Sequence, residues 1–223
     1  MTGSRERRRH AYENPRPEVQ ELVPHEARRI LDLGCSSGAL GAALHDRQGS
    51  EVVGVERDPV YAESARSRLH EVVEADVEEL FAAPEAVAAL GCFDCVVAAD
   101  VLEHLRDPWS VTRVAASKLV RGGTAVISVP NVRYWETFRE LGLRGRWPRR
   151  DEGIFDATHL RWFTLSDARE LLGGAGLEPT EVRPLYRLRP ADWRSERAGR
   201  RLAVGPLRPF LAFQYVIAAR RRC

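Results

Sequence analysis

Apolar residues along the chain fall in short runs that alternate with segments of helical spacing, the pattern of a parallel sheet covered by helices on both faces. Arg29–Leu33, Glu51–Val55, Val72–Ala75, Phe93–Ala98 and Thr124–Val129 read as strands. Between them, Gly38–Asp46, Pro59–Leu69 and a segment from Asp107-Pro108 to about Val120 read as helices. Pro59 suits a first turn, and Gly122-Gly123 is expected to stop the third helix. Thr164 caps a further helix ending near Gly176. Glu181–Arg187 and Ala212–Ala219 are late strands separated by a proline- and arginine-rich connection, and the run Phe213–Ala218 suits an antiparallel strand closing the sheet. The expected fold is therefore α/β: a doubly wound sheet of seven strands, mostly parallel with an antiparallel last strand.

After Pro130 the texture changes, with aromatics and arginines replacing the Ala/Val pattern as far as Phe163. We read residues 1–223 as one domain with an inserted cap at about 131–163, because function collects on loops outside the carboxyl ends of strands. That stretch is expected to be mobile and to order over a substrate.

A formal net charge of +2 is too small to imply a general polyanion or membrane partner. The arginines gather at Arg5–Arg9, Arg144–Arg150 and Arg220–Arg222, which read as solvated stretches. No apolar run approaches the ~20 residues of a membrane span, and charges stand where a signal peptide would be apolar, so a cytoplasmic protein is expected. Of the cysteines Cys35, Cys92, Cys95 and Cys223, the pair Cys92 and Cys95 forms a C-x-x-C without a second pair at zinc spacing, which argues against a metal or redox role.

The strongest motif is Ile30-Leu31-Asp32-Leu33-Gly34-Cys35-Ser36-Ser37-Gly38, an apolar strand leading through a small-residue turn into a helix. Gly34 and Gly38 let the backbone approach a ligand, and the helix start offers unpaired N–H groups. Glu56 ends the second strand, where a carboxylate can accept both hydroxyls of a ribose. A dinucleotide fingerprint beginning at Gly34 would need glycine at Ser36 and Ala39, and both fail.

This D-x-G-C-x-x-G string, followed by an acidic residue ending strand two, resembles the Rossmann-like class I methyltransferases that use S-adenosylmethionine. The resemblance covers approximately Tyr12 to Phe163. It implies that the loop Gly34 to Gly38 wraps the methionine moiety, that Glu56 takes the ribose, and that Asp76 takes the adenine amine. The implied cofactor contacts are Asp32, Gly34, Cys35, Ser36, Gly38, Glu56, Arg57, Asp76, Val77 and Ala98. Ser36 departs from the family's usual third glycine, and a side chain there disfavours positive φ.

Beyond strand four, Val101-Leu102-Glu103-His104-Leu105-Arg106-Asp107-Pro108 is similar to a string found in methyltransferases of quinone precursors, sugars and other small molecules. Ser128–Trp135 and Asp156–Thr164 resemble a pair found in methyltransferases associated with glycosyltransferases, and the Pro-Asn-x-x-x-Trp and Leu-Arg-Gly-Arg-x-Pro elements are similar to the MetW group. The implied activity is O-methylation of a small acceptor such as a saccharide or secondary metabolite. His159 and His104 are the candidate catalytic residues, because histidine titrates near neutral pH, with Asp156 placed to orient the His159 ring. Asn131, Tyr134 and Trp162 are expected at the acceptor.

Two other readings stay open. No metal ligands are assigned, yet Asp100, Glu103, His104 and His159 together could hold a divalent ion, as in the terminal ribose methyltransferases of small RNAs, which they resemble. The MetW-like elements allow a cofactor-binding partner of another enzyme. A homo-oligomer or a partner enzyme is compatible with either, while a nucleic-acid partner would need a continuous basic face that the arginines of 144–150 supply only in part.

Overall fold

A computed structural model describes residues 13–187, 203 and 205–222. The basic run Arg5–Arg9, Tyr12, most of the connection after Arg187 (188–202 and 204) and Cys223 lie outside the described residues.

The sheet has seven strands: β1 (Arg29–Leu33), β2 (Glu51–Glu56), β3 (Glu71–Glu74), β4 (Phe93–Ala99), β5 (Leu119–Pro130), β6 (Leu177–Tyr186) and β7 (Ala212–Arg221). Their order is β3-β2-β1-β4-β5-β7-β6. Only β7 runs against its neighbours, pairing antiparallel with both β5 and β6, as the closing Phe-Gln-Tyr-Val-Ile run led us to expect. The chain winds outward from β1 to β3 and then restarts on the other side of β1 with β4. That reversal opens a crevice at the carboxyl ends of β1 and β4, the place where open α/β sheets bind ligands.

Alternation along β1 sends Ile30 to one face and Leu31 and Leu33 to the other. On the first face Ile30, Val52, Cys95, Val97 and Val126 pack with Leu40 and Leu44 of the helix Ala39–Gln48 and Ala65 of the helix Pro59–Arg66. On the second, Leu33, Val55, Phe93 and Ile127 pack with Val111 and Ala115 of the helix Pro108–Ser117 and Leu171 and Leu172 of the helix Leu165–Gly174. Each large apolar side chain buried this completely is worth about 1.5–3 kcal/mol, which is why the inner strands read as near-continuous apolar runs.

The boundaries depart from the sequence pattern where glycine and proline sit inside strands. Gly122, at φ 72, does not stop the preceding helix, which ends at Ser117. It lies in a bulge between the pairs Phe93–Leu119 and Cys95–Thr124, so β5 starts at Leu119. Pro179 likewise marks a register shift against β7, and β6 begins at Leu177. Two short helices, Val77–Ala82 and Pro84–Ala89, fill the stretch before β4 that the pattern left unread; Asp76 caps the first by accepting the Glu78 N–H at 2.8 Å. The Thr164 cap is present as a reciprocal pair with Asp167. Among the described residues, no helix is long and apolar enough to cross a membrane.

Candidate active site

At the end of β1 the N–H groups of Gly34 and Cys35 both donate to the Val55 carbonyl, at 2.8 and 3.0 Å, tying the loop to β2. Gly34 has φ 67, and a Cβ there would lie 2.6 Å from Val101 Cγ2, so only glycine fits. Ser36 takes the left-handed conformation that a side chain disfavours, at φ 51. Glu56 holds it there: Oε2 accepts the Ser36 N–H at 2.9 Å and Oε1 accepts the Asp58 N–H at 2.8 Å. A carboxylate has about four lone-pair sites, so two remain for ligand hydroxyls.

Two buried polar atoms at this loop have no hydrogen-bond partner, Asp32 Oδ2 and Ser36 Oγ. Burial, with Glu56 adding to it and Arg16 opposing, pushes the Asp32 carboxyl up to about 7. Cys35 is buried beneath the loop, and burial, with Asp32 and Glu56, pushes its thiol far up, so it packs rather than reacts. Arg57 Nη1 lies 3.7 Å from Asp76 Oδ2 just past the tip of β2, while Val77 and Ala98 are buried beside the crevice. A cradle that admits no Cβ, a carboxylate with open acceptor sites and two orphaned polar atoms fit an adenosyl amino acid at this end of the sheet.

At the end of β4 stands a second strained group. Asp100 has φ 57, and facing it Arg16 has φ 52, both unusual for residues with side chains. Arg16 Nη1 donates to Asp100 Oδ2 at 2.8 Å and Nη2 to Ser128 Oγ at 3.2 Å; the Ser128 hydroxyl donates to Asp100 Oδ1 at 2.7 Å, and Gln214 of β7 donates to the same oxygen. Burial works against the Arg16 charge, but Asp100 and Glu18 outweigh it and hold the guanidinium fully protonated. The sequence reading passed over Arg16, Ser128 and Gln214; the signal available was an arginine set between two prolines, Pro15 and Pro17.

The turn Leu102–His104 follows, and the Glu103 carbonyl accepts the N–H groups of Leu160 and Arg161 at 2.8 and 3.0 Å. This docking brings the His104 and His159 rings edge to face, with centroids 4.7 Å apart. His104 Nδ1 lies 3.3 Å from the Thr158 carbonyl, and burial lowers the pKa of both rings, His159 also through His104. The Asp156 carboxylate accepts from the N–H and hydroxyl of Thr158, at 2.8 and 2.6 Å, and its charge opposes the lowering of the His159 pKa. The Glu103 side chain is 1 % exposed and neither oxygen has a hydrogen-bond partner. Burial, then Asp100, raises its pKa well above the ordinary value. Of the four residues weighed for a divalent ion, Glu103, His104 and His159 bring ligand atoms within 4.8 Å of one another. Asp100 is engaged elsewhere, by Arg16, Ser128 and Gln214.

The acceptor-facing residues divide. Asn131 is fully buried: its Nδ2 donates to the carbonyls of Pro209 and Ala212, at 2.7 and 2.8 Å, and its Oδ1 accepts the Arg133 N–H. Tyr134 is also buried, donating to the Arg187 carbonyl at 2.6 Å and packing on Trp135 and Phe213. Both join the 131–163 segment to the β7 side of the sheet, a correction to their expected place at the acceptor. Trp162 is 45 % exposed and meets Trp147 edge to face at 5.5 Å. Within the same segment Glu140, fully buried, takes Arg139, Arg144 and Arg146, which hold its carboxyl below the usual range, Arg146 most strongly. Of the C-x-x-C, Cys95 is buried within β4 and Cys92 is exposed.

A glycine loop after β1, an acidic β2 tip and a reversal at β1/β4 define a class I methyltransferase, and the chain belongs to the methyltransferase-domain family, whose model matches residues 5–182. A ubiquinone biosynthesis O-methyltransferase of Cereibacter sphaeroides is 29 % identical over 204 residues, covering 90 % of this chain and 76 % of that one. Among solved structures, a Thermotoga maritima S-adenosylmethionine-dependent methyltransferase, described as a possible histamine N-methyltransferase, covers 100 % of this chain and 96 % of its own at 20 % identity and TM-score 0.65. The magnesium protoporphyrin IX methyltransferase of Synechocystis with bound S-adenosylhomocysteine covers 96 % of this chain and 84 % of its own, at 17 % identity and TM-score 0.63.

Proposed function

We propose that the chain transfers a methyl group from S-adenosylmethionine to a hydroxyl oxygen of a small polyhydroxylated molecule. The observation that carries this reading is the His104–His159 pair, whose rings meet edge to face beyond β4 with centroids 4.7 Å apart and whose pKa values burial lowers. S-adenosylmethionine, when bound, supplies an electrophilic methyl on a sulfonium. Glu56 has the acceptor sites for the ribose hydroxyls, and the Gly34–Gly38 turn admits the amino-acid end. The histidine pair receives the acceptor hydroxyl and polarises it, and the chain's main contribution is to hold the two reactants at near-attack distance, worth ~7–11 kcal/mol in favourable cases. The name of the Cereibacter relative, an O-methyltransferase, points the same way.

The test is methyl transfer from labelled S-adenosylmethionine to a panel of catechol, hexoses and a structured RNA. Label in a methyl ether of a small acceptor supports the reading; label only in RNA overturns it.

A further inference from the structure

We propose that residues 13–18 form a strap latched by Arg16 and Asp100 over the amino-acid end of the cofactor crevice, so that S-adenosylmethionine enters and S-adenosylhomocysteine leaves only when the strap opens. The inference concerns the cofactor and stands whichever atom accepts the methyl group.

The strap is tied to both walls of the crevice. At one end Arg68 Nη1 donates to Glu13 Oε2 at 2.8 Å and to Ser37 Oγ at 3.1 Å, which joins the strap to the glycine loop. Arg16 then donates to Asp100 Oδ2 and Ser128 Oγ, which joins it to the ends of β4 and β5. The Arg16 charge reaches both sides, opposing the rise of the Asp32 carboxyl beside the loop and of the Glu103 carboxyl beyond β4.

The way the chain is held changes at Val19. From there on Val19, Leu22 and Val23 are buried, and the Arg47 guanidinium donates to the carbonyls of Gln20 and Val23. Upstream, Glu13, Asn14, Pro15 and Pro17 are exposed, and none of residues 13–18 buries an apolar side chain. Ion pairs and hydrogen bonds hold that part, and a segment without buried apolar contacts opens locally at little cost.

The latch is also strained. Among the described residues, the non-glycine positions at positive φ are Arg16, Ser36 and Asp100, and all three stand at this crevice. Arg16 precedes Pro17, and a residue before proline favours extended backbone, so its left-handed conformation is doubly disfavoured. Strain of this kind persists where the surrounding contacts impose it. Here those contacts are the latch itself, so breaking it relaxes both residues and brings the open state close to the closed one.

A ligand shifts such a balance only by contacting one state more than the other. A guanidinium has more N–H donors than the bonds Arg16 makes to Glu18, Asp100 and Ser128, so donors remain for the cofactor's carboxylate. That contact exists only with the strap closed. The cofactor therefore shuts the strap over itself.

The test uses the full chain and two ligands, S-adenosylhomocysteine and 5′-methylthioadenosine, which lacks the amino-acid end. Hydrogen exchange at residues 13–18 is expected to slow at least tenfold with S-adenosylhomocysteine and to stay at the free-protein rate with 5′-methylthioadenosine. In stopped-flow binding, the wild-type rate is expected to level off at high S-adenosylhomocysteine, where strap opening becomes limiting. Arg16→Gln and Asp100→Asn are each expected to remove the plateau and to speed dissociation tenfold or more, with Arg16→Lys in between; unchanged 5′-methylthioadenosine affinity reports an intact fold. Exchange at 13–18 indifferent to S-adenosylhomocysteine, or a wild-type rate that rises linearly with its concentration, overturns the strap, and neither readout needs a variant. Faster dissociation from Arg16→Gln beside a linear wild-type rate makes Arg16 a fixed contact and overturns it too. Protection and plateau as described, with no methyl reaching any hydroxyl, keep the strap and defeat the O-methyl transfer reading instead.

Discussion

Glu56 and Ser36 are joined by a 2.9 Å hydrogen bond in which the carboxylate at the tip of β2 accepts the backbone N–H of the one non-glycine residue of the loop held at positive φ. The same side chain therefore shapes the loop and presents acceptor sites to a ribose. Glu56→Ala is expected to weaken S-adenosylhomocysteine binding by ~1–3 kcal/mol, the cost of leaving polar groups unpaired. Ser36→Gly removes a strained side chain and is expected to keep affinity within about threefold. Calorimetry on both variants decides; unchanged affinity in Glu56→Ala would contradict the assignment.

Asp32 gives a pH prediction. Its carboxyl, pushed up to about 7 by burial and Glu56, is disfavoured as a charge in the folded state. The cost is absent below the unfolded carboxyl pKa of ~3.9, grows as pH rises toward 7 and is constant above. Asp32→Asn, measured without cofactor, should therefore gain stability over the wild type between pH 4 and pH 8, by up to ~4 kcal/mol. Melting curves at the two pH values check this, and a difference that does not change with pH would refute it.

Much of this was legible beforehand. The apolar runs marked seven strands and the antiparallel β7, because strands buried on both faces must be apolar. Gly34, Gly38 and Glu56 were legible because the backbone conformation and the strand tip each demand a residue type. The Asp100 network was not, since Arg16, Ser128 and Gln214 come from three distant segments and no local spacing links them. Asn131 and Tyr134 looked like acceptor contacts because polar and aromatic residues serve cores and sites alike; their hydrogen bonds to Ala212 and Arg187 decide for the core.

Tyr134→Phe tests that correction. Losing the hydroxyl's bond to the Arg187 carbonyl should lower stability by ~1 kcal/mol and leave KM for the acceptor unchanged. A several-fold rise in KM at unchanged stability would return Tyr134 to the acceptor site.

His159→Asn keeps hydrogen-bonding capacity and removes the imidazole. We expect kcat to fall ~10²-fold or more with S-adenosylhomocysteine affinity intact, the size expected for a group acting on the acceptor hydroxyl. A near wild-type rate would exclude His159 from the chemistry.

The central claim, that a methyl group goes to an oxygen of a small acceptor, is tested most directly by incubating the protein with S-adenosylmethionine carrying a ¹³C methyl and catechol, then locating the label by NMR. The account predicts a ¹³C methyl ether, absent with His159→Asn and lost when S-adenosylhomocysteine is in excess. Label on nitrogen or carbon of a co-supplied acceptor, with none on oxygen, would contradict it.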